Sequence, residues 1–185
     1  ALGLEPLRER IAAHYRERFG VEVASERIVV TSGSSAALLI ALGALVDPGD
    51  RVLMGDPGYP CNRHFVRTLD AEPVLLPTGP ETAYQVTADL LLAAWGAGAR
   101  AVIAASPSNP TGTRIPVSEW SAIADLCRAR GAALIADEIY QGLTYDGDAE
   151  TVLSVADDVF VVNSFSKYFQ MTGWRLGWLV VPAGW

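Results

Sequence analysis

The sequence is poor in the residues that build metal centres and disulfide frameworks. Its 185 residues include only two cysteines, Cys61 and Cys127, and two histidines, His14 and His64. Two scattered cysteines are too few for a disulfide-stapled scaffold or a thiolate metal site, and the histidines lack metal-binding spacing. We therefore expect no metal ion, and a reducing compartment, the cytoplasm, is the simplest location.

Positive charge and long hydrophobic runs are also scarce. Fourteen Lys and Arg residues stand against 21 Asp and Glu, which gives a net charge of −7. An acidic chain lacks the basic face that nucleic acid binding requires. The longest apolar stretch, near residues 36–46, is about half of the roughly 20 residues that a membrane-spanning helix needs. We expect neither a nucleic acid nor a membrane partner.

Secretory and hydrolytic signatures are missing as well. No charged segment followed by an apolar segment and a cleavage site marks a signal peptide. Neither a P-loop nor a Ser-His-Asp arrangement is visible. The chain begins at Ala1 rather than at a methionine and stops at Trp185, directly after a predicted strand. We therefore expect it to be part of a longer protein.

Strand-like and helical patterns alternate along almost the whole chain. Residues 5–20 place Leu7, Ile11, Tyr15 and Phe19 on one helical stripe, with Gly20 as a stop signal. Ser118 is the expected N-cap of a later helix. Such alternation predicts an α/β fold: a three-layer αβα sandwich around a mostly parallel, seven-stranded sheet. The last two strands are joined by a compact segment, so the seventh is expected to run antiparallel.

The segment DVFVVNSFSKYFQMTGWRLGW, residues 158–178, contains the sequence's most informative polar cluster. An apolar run, residues 159–162, predicts a buried strand that breaks into Ser164 and Lys167, and Arg175 follows. Polar groups at the end of such a strand lie where open α/β sheets bind ligands. A lone loop lysine is usually only solvated, but that interpretation leaves the Ser-x-Ser-Lys and MTGWRLG strings unexplained.

Four further polar motifs follow other predicted strands. They are TSGSSAAL (31–38), DPGYP (56–60), SPSNPTGT (106–113) and ADEIY (136–140). The first opens a helix, whose free N–H groups and dipole favour an anion. Taken singly, each motif also fits a helix cap, a turn or a packed aromatic. In ADEIY, strand alternation turns Asp137 and Glu138 to opposite faces, and we interpret Glu138 as structural.

These five motifs, in this order, resemble those of the class I/II aminotransferases, which are fold-type I pyridoxal-phosphate enzymes. The resemblance covers nearly the whole chain. It implies that residues 1–185 are the large, cofactor-binding domain, truncated so that an N-terminal segment and a C-terminal small domain are absent. It also implies a homodimer for the intact protein.

The resemblance assigns a role to each candidate residue. Lys167 would form the Schiff base with pyridoxal 5'-phosphate, and Asp137 would pair with the ring nitrogen. Tyr140 and Asn109 would hydrogen-bond the cofactor's phenolic oxygen, and Tyr59 would stack on the ring. The phosphate would be held by Gly33, Ser34, Ser35, Ser164 and Arg175. We also predict a cis Asn109–Pro110 bond, because such bonds mark tight functional turns.

The implied reaction moves an amino group between an L-amino acid and a 2-oxo acid. Because the family's substrate-carboxylate arginine and a partner-subunit tyrosine would lie outside this chain, we expect the fragment alone to be impaired. Two alternatives stay open. One is a pyridoxal-phosphate lyase or synthase on the same fold, such as a carbon–sulfur lyase. The other is a non-catalytic, ligand-sensing domain of a transcription regulator.

Overall fold

Seven strands form one mixed sheet in the computed structural model, which describes residues 2–185. Their order across the sheet is β1-β7-β6-β5-β4-β2-β3. The strands are β1 (Ile28–Thr31), β2 (Arg51–Asp56), β3 (Glu72–Pro77), β4 (Ala99–Ala105), β5 (Ala133–Asp137), β6 (Phe160–Ser164) and β7 (Gly177–Val180).

Within residues 2–185, five α-helices and four short 3-10 helices precede or connect the strands. The α-helices are α1 (Glu5–Phe19), α2 (Gly33–Leu45), α3 (Cys61–Thr68), α4 (Ala88–Ala94) and α5 (Val117–Ala129). The 3-10 helices are Ser25–Arg27, Pro80–Thr82, Val152–Ser154 and Thr172–Trp174. No helix within residues 2–185 combines the length and the apolar character needed to cross a membrane.

Strand directions confirm the predicted sheet. The strands β2 to β6 pair in parallel, whereas β7 runs antiparallel to both of its neighbours, β6 and β1. A parallel pair usually needs a crossover through an α-helix, and the segment between β6 and β7 contains only the short 3-10 helix Thr172–Trp174. The first six strands therefore point the same way, and their carboxyl ends meet at one edge of the sheet.

Helices cover both faces of the sheet, which confirms the three layers. Side chains of consecutive strand residues enter opposite cores, as strand geometry requires. Leu53, for example, packs with the side of the sheet covered by α1, α4 and α5. Its neighbours Val52 and Met54 pack with the side covered by α2 and α3.

Most helix boundaries follow the sequence signals. In α1, Ile11 and Tyr15 are buried, and Gly20 ends the helix in the left-handed region at φ 67°. The expectation for Ser118 is wrong, because α5 begins at Val117 with Pro116 at the N-cap position. Pro116 has φ −62° and an extended ψ of 153°, so it is not helical itself. The helix begins at the next residue, Val117, which places Ser118 inside its first turn.

Gly177 brings β7 into close contact with β6 and with the start of α2. A Cβ atom at this position would lie 2.8 Å from the carbonyl oxygen of Asn163 and 2.8 Å from the carbonyl carbon of Gly33. Both neighbours are backbone atoms, which cannot move aside without shifting a strand or a helix. The absence of a side chain here therefore sets the distance between β7 and the turn that opens α2.

We predict that Gly177→Ala lowers the free energy of unfolding by about 1–3 kcal/mol, because overpacking forces backbone shifts. Urea unfolding measures the change. Gly43→Ala is the matched control: an added Cβ meets nothing within 4 Å at this helical position. It should raise the free energy of unfolding by about 0.5–1 kcal/mol through helix propensity. Equal stability of Gly177→Ala and the unmodified chain would contradict the packing argument.

Candidate active site

A cavity of about 180 Å³ opens at the carboxyl edge of the sheet. Loops that follow β1, β2, β4, β5 and β6 contribute to its wall. Eight of the ten site residues predicted from the sequence line it, namely Ser34, Ser35, Tyr59, Asn109, Asp137, Tyr140, Lys167 and Arg175. The fold thus brings together motifs that are as much as 140 residues apart in the chain.

The N-terminus of α2 forms one end of the cavity. This helix has 13 residues and no acidic residue in its first turn, and its N-cap residue, Ser32, makes no side-chain capping hydrogen bond. Ser34 and Ser35 add hydroxyl donors at the cavity wall. Uncapped N–H groups and the helix dipole together favour an anion at this end.

Arg175 lies against the same helix start. A Cβ atom on Gly33 would lie only 2.7 Å from Arg175 Nη2, so the glycine leaves the space that the guanidinium occupies. Arg175 Nη1 donates to the carbonyl oxygen of Thr172 at 3.1 Å. Within residues 2–185 no carboxylate oxygen lies within 4 Å of this guanidinium. Its remaining donors are therefore available to a bound anion.

Arg175 also has an unusual backbone conformation. Its φ of 51° and ψ of 49° place it in the left-handed region. A non-glycine residue there carries roughly 1–2 kcal/mol of strain, and such strain concentrates at functional sites. The strained residue is the one that points its guanidinium at the start of α2.

Lys167 enters the cavity from the turn between β6 and β7. Its Nζ atom lies 5.5 Å from the centroid of the Tyr140 ring. Backbone hydrogen bonds from Phe165 to Leu176 and from Met171 to Phe165, both 3.0 Å, hold the turn in place. Lys167 is also the only lysine in the sequence.

Asp137 also lines the cavity. It is the last residue of β5, only 5% exposed, and its Oδ1 accepts a hydrogen bond from the backbone N–H of Ile139 at 3.1 Å. Burial raises the pKa of Asp137 to about 6. No lysine, arginine or histidine nitrogen of residues 2–185 lies within 4 Å of this carboxylate. A ligand with a cationic N–H group would supply the missing partner.

Asn109 and Tyr140 line the cavity and contact each other. The amide nitrogen of Asn109 donates to the hydroxyl oxygen of Tyr140 at 3.5 Å, a long hydrogen bond. The Asn109–Pro110 bond is cis, which confirms the prediction. Tyr59 stands at the mouth of the cavity with 37% of its surface exposed.

The two remaining predicted residues lie behind the cavity wall. Gly33 is buried beneath Arg175, and Ser164 is only 1% exposed. The hydroxyl oxygen of Ser164 accepts a hydrogen bond from the backbone N–H of Ser166 at 3.1 Å. Ser166 and Thr172 line the cavity instead, although the sequence interpretation named neither. Two sequence signals pointed to Ser166: it lies two residues after Ser164, and it directly precedes Lys167.

The polar side chains that line the cavity suit an organic ligand. Within the described part of the chain, no group of three or more His, Cys, Asp or Glu side chains could hold a metal ion. Its donors instead fit an organic group with an anion at one end and a protonated ring nitrogen at the other. The primary amine of Lys167 lies in the same cavity, where it can react with an aldehyde.

Burial of Asp137 predicts that the free energy of unfolding depends on pH. Because burial raises the pKa of Asp137 from 3.8 to about 6, the folded protein holds this proton more tightly than the unfolded chain does. This tighter proton binding by Asp137 stabilises the folded protein fully below its pKa in the unfolded chain, 3.8. The stabilisation is lost as the pH rises through its pKa in the folded protein, about 6. Removing the charge should therefore stabilise the ligand-free protein above about pH 6.

The test substitutes Asp137→Asn and follows urea unfolding from about pH 4 to pH 7. The free energy of unfolding of the variant, relative to the unmodified chain, should rise by up to about 1.4 kcal/mol per pH unit until about pH 6 and then level off. Asp47→Asn, an exposed change of the same charge, corrects for net charge. A difference that does not vary with pH would contradict the burial of an ionisable Asp137.

Comparison with known proteins places these motifs in a family. The model for aminotransferase class I and II matches residues 2–185. A valine–pyruvate aminotransferase of Mycobacterium tuberculosis is 50% identical over 98% of this chain and 47% of its own length. An arginine–pyruvate transaminase of Pseudomonas aeruginosa is 37% identical over the same shares. The chain thus spans about half the length of the curated relatives it matches.

Solved structures agree with the sequence matches. A crystal structure of an aminotransferase from Mycobacterium tuberculosis has a TM-score of 0.93 and 49% identity, over 98% of this chain and 50% of that one. Aspartate aminotransferase from Thermus thermophilus with maleate has a TM-score of 0.92 and 33% identity, over 98% of this chain and 48% of that one. The match of the family model to all described residues establishes that this chain belongs to the aminotransferase class I and II family.

Proposed function

We propose that residues 1–185 form the cofactor-binding large domain of a pyridoxal-phosphate-dependent aminotransferase. The proposal is supported by the arrangement in one cavity of an anion site, the chain's only lysine and a buried carboxylate that no cationic nitrogen of residues 2–185 approaches within 4 Å. Relatives that bear aminotransferase names support it. The N-terminal segment and the C-terminal small domain of the intact enzyme would lie outside this chain.

The residues at the helix end would hold the cofactor's phosphate. Arg175 offers a planar guanidinium, which binds two phosphate oxygens at once. Ser34, Ser35 and the free N–H groups of α2 would bind the remaining oxygens. Ser164, which does not line the cavity, would contribute through the turn that its hydroxyl supports by accepting from the Ser166 N–H. Gly33 would take part by leaving room for the guanidinium.

The other side chains would orient the ring. Asp137 would accept a hydrogen bond from the protonated ring nitrogen, Asn109 and Tyr140 would bind the phenolic oxygen, and Tyr59 would stack on the ring face. When bound, pyridoxal phosphate supplies an aldehyde that condenses with amines and a protonated ring that withdraws electrons. The negative charge on Asp137 keeps the ring nitrogen protonated.

Lys167 would act as both anchor and proton carrier. Its amine would bind the cofactor covalently until a substrate amine displaces it. The freed amine would act as a general base that takes the proton from the substrate's α-carbon. It would then act as a general acid that gives the proton to the cofactor's C4′ carbon. The position of Nζ beside the Tyr140 ring keeps the amine within the cavity for this role.

The intact enzyme would move an amino group between an L-amino acid and a 2-oxo acid, as a homodimer in the cytoplasm. Both relatives reported above are named for pyruvate, which makes pyruvate the first acceptor to assay. Transfer would convert the cofactor to its aminated form when an L-amino acid is added, whereas a carbon–sulfur lyase would regenerate the aldehyde form. Chromatography of the released cofactor distinguishes these outcomes.

Borohydride reduction of the chain mixed with pyridoxal phosphate tests the covalent anchor. Because Lys167 is the only lysine, side-chain labelling can occur at no other ε-amine. We expect one phosphopyridoxyl group on the peptide that contains Lys167, and none on the corresponding peptide of Lys167→Ala. Mass spectrometry reads both. Labelling confined to the α-amine of Ala1 would contradict the assignment.

Arg175→Gln tests the phosphate site. Losing a charge-assisted hydrogen bond of about 1.5–3 kcal/mol should weaken pyridoxal phosphate binding by about 10- to 100-fold. Pyridoxal, which has no phosphate, is the matched ligand and should bind the variant and the unmodified chain alike. Equilibrium titration followed by absorbance gives the four dissociation constants. An equal loss for both ligands would place the phosphate elsewhere.

A further inference from the structure

A buried carboxyl group, Glu138, directly follows β5 and does not line the cavity. It is 1% exposed and receives three hydrogen bonds. Val152 donates its backbone N–H to Oε1 at 2.7 Å, while Thr151 Oγ1 and Gln141 Nε2 each donate to Oε2 at 2.9 Å. Within residues 2–185, no cationic nitrogen lies within 4 Å of it. We call Glu138, Gln141, Thr151, Val152 and Asn163 the Glu138 network.

Packing alone does not explain a carboxylate at this position. Burial raises the pKa of Glu138 to about 8, which shows that the charged form is disfavoured here. A buried charge without a cation is costly, and an apolar side chain of similar volume often serves a core as well or better. The three neighbours all act as donors, so the site needs a group that only accepts. The carboxyl group of Glu138 accepts at both of its oxygens, and it meets this need in full when it is ionised.

The Glu138 network has an arm that leads to the lysine turn. The backbone N–H of Ser164 donates to Asn163 Oδ1 at 2.7 Å, and Asn163 Nδ2 donates to Gln141 Oε1 at 3.2 Å. Gln141 then donates to Glu138. Its Nε2 also donates to the carbonyl oxygen of Glu150 at 3.0 Å, and because both partners accept, the amide orientation is fixed. The donors along this arm therefore all point toward Glu138.

The same arm touches the cavity at two places. Gln141 directly follows Tyr140, and Ser164 accepts a hydrogen bond from Ser166, the residue before Lys167. The second arm, through Thr151 and Val152, leads to the 3-10 helix Val152–Ser154, no residue of which lines the cavity. Glu138 thus joins a cavity arm, formed by Gln141, Asn163 and Ser164, and an outer arm, formed by Thr151 and Val152. Separate substitutions can remove the hydrogen bonds of either arm.

We propose that Glu138 is a positioning residue: as the final acceptor of the Ser164–Asn163–Gln141 chain, it fixes the Lys167 turn relative to Tyr140. The proposal rests on the proposed role of Lys167 for its importance to function, but the positioning itself concerns only this chain's own residues. Networks whose members are all satisfied hold a single arrangement, and the hydrogen bonds of such a chain strengthen one another.

Two single substitutions separate the arms. Gln141→Met removes the amide of the cavity arm and leaves the bonds of Glu138 to Thr151 and Val152. Thr151→Val, of nearly the same size, removes one bond of the outer arm and is the matched control. Asn163→Ala cuts the cavity arm one residue further along, and it takes the place of Gln141→Met if that variant does not fold. Urea unfolding measures how much stability each variant loses.

The first readout needs no cofactor. Reductive ¹³C-methylation labels Lys167 alone among the side chains. The chemical shift of the one dimethyl-lysine signal therefore reports how the Lys167 amine is placed beside the Tyr140 ring. Lys167→Arg identifies the separate signal of the α-amine. Gln141→Met should shift and broaden the Lys167 signal, whereas Thr151→Val should leave it in place. Equal shifts in the two variants, or no shift in either, would overturn the positioning role.

The second readout is the rate at which Lys167 captures pyridoxal phosphate, followed by borohydride trapping. Gln141→Met should slow capture by about tenfold, the effect expected for losing one hydrogen bond, and Thr151→Val by less than about twofold. If the unmodified chain captures no cofactor, the proposed function fails, and the NMR signal alone decides the positioning role. Equal rates for the two variants would overturn the link between positioning and capture.

Discussion

Two buried carboxylates at the carboxyl end of β5 face opposite sides of the sheet, and neither has a cation within 4 Å in residues 2–185. Asp137 faces the cavity, where a ligand can supply the cation. Glu138 faces the core, where three donors of the protein surround it. Because side chains alternate along a strand, Asp137 can contact a ligand while Glu138 binds the loops of the protein.

The remainder of the site follows from where strands end. Since β1 to β6 point the same way, the motifs after five of them converge on one cavity. The antiparallel β7 then brings Arg175 back to the start of α2, and two glycines allow this approach. Gly33 leaves space for the guanidinium, and Gly177 lets β7 contact the backbone of its neighbours. The anion site is therefore a consequence of sheet topology and of two missing side chains.

Much of this could be predicted from the sequence, because the signals are local. Alternating apolar runs predicted the layers, and the short β6–β7 segment predicted an antiparallel final strand. The resemblance located eight residues that line the cavity. Strand order was not predictable, since pairing depends on contacts distant in sequence. Ser166, Thr172 and the hydrogen-bond partners of Glu138 were missed for the same reason: their roles depend on contacts that form only after folding. Ser118 failed as an N-cap because Pro116 starts the helix earlier.

A crystal structure of the chain grown with pyridoxal phosphate tests the central claim most directly. The account predicts continuous density between Lys167 Nζ and the cofactor, the phosphate between Arg175 and the start of α2, and the ring nitrogen within hydrogen-bond distance of Asp137. Cofactor bound in the reverse orientation, or attached only to the α-amine of Ala1, would contradict it.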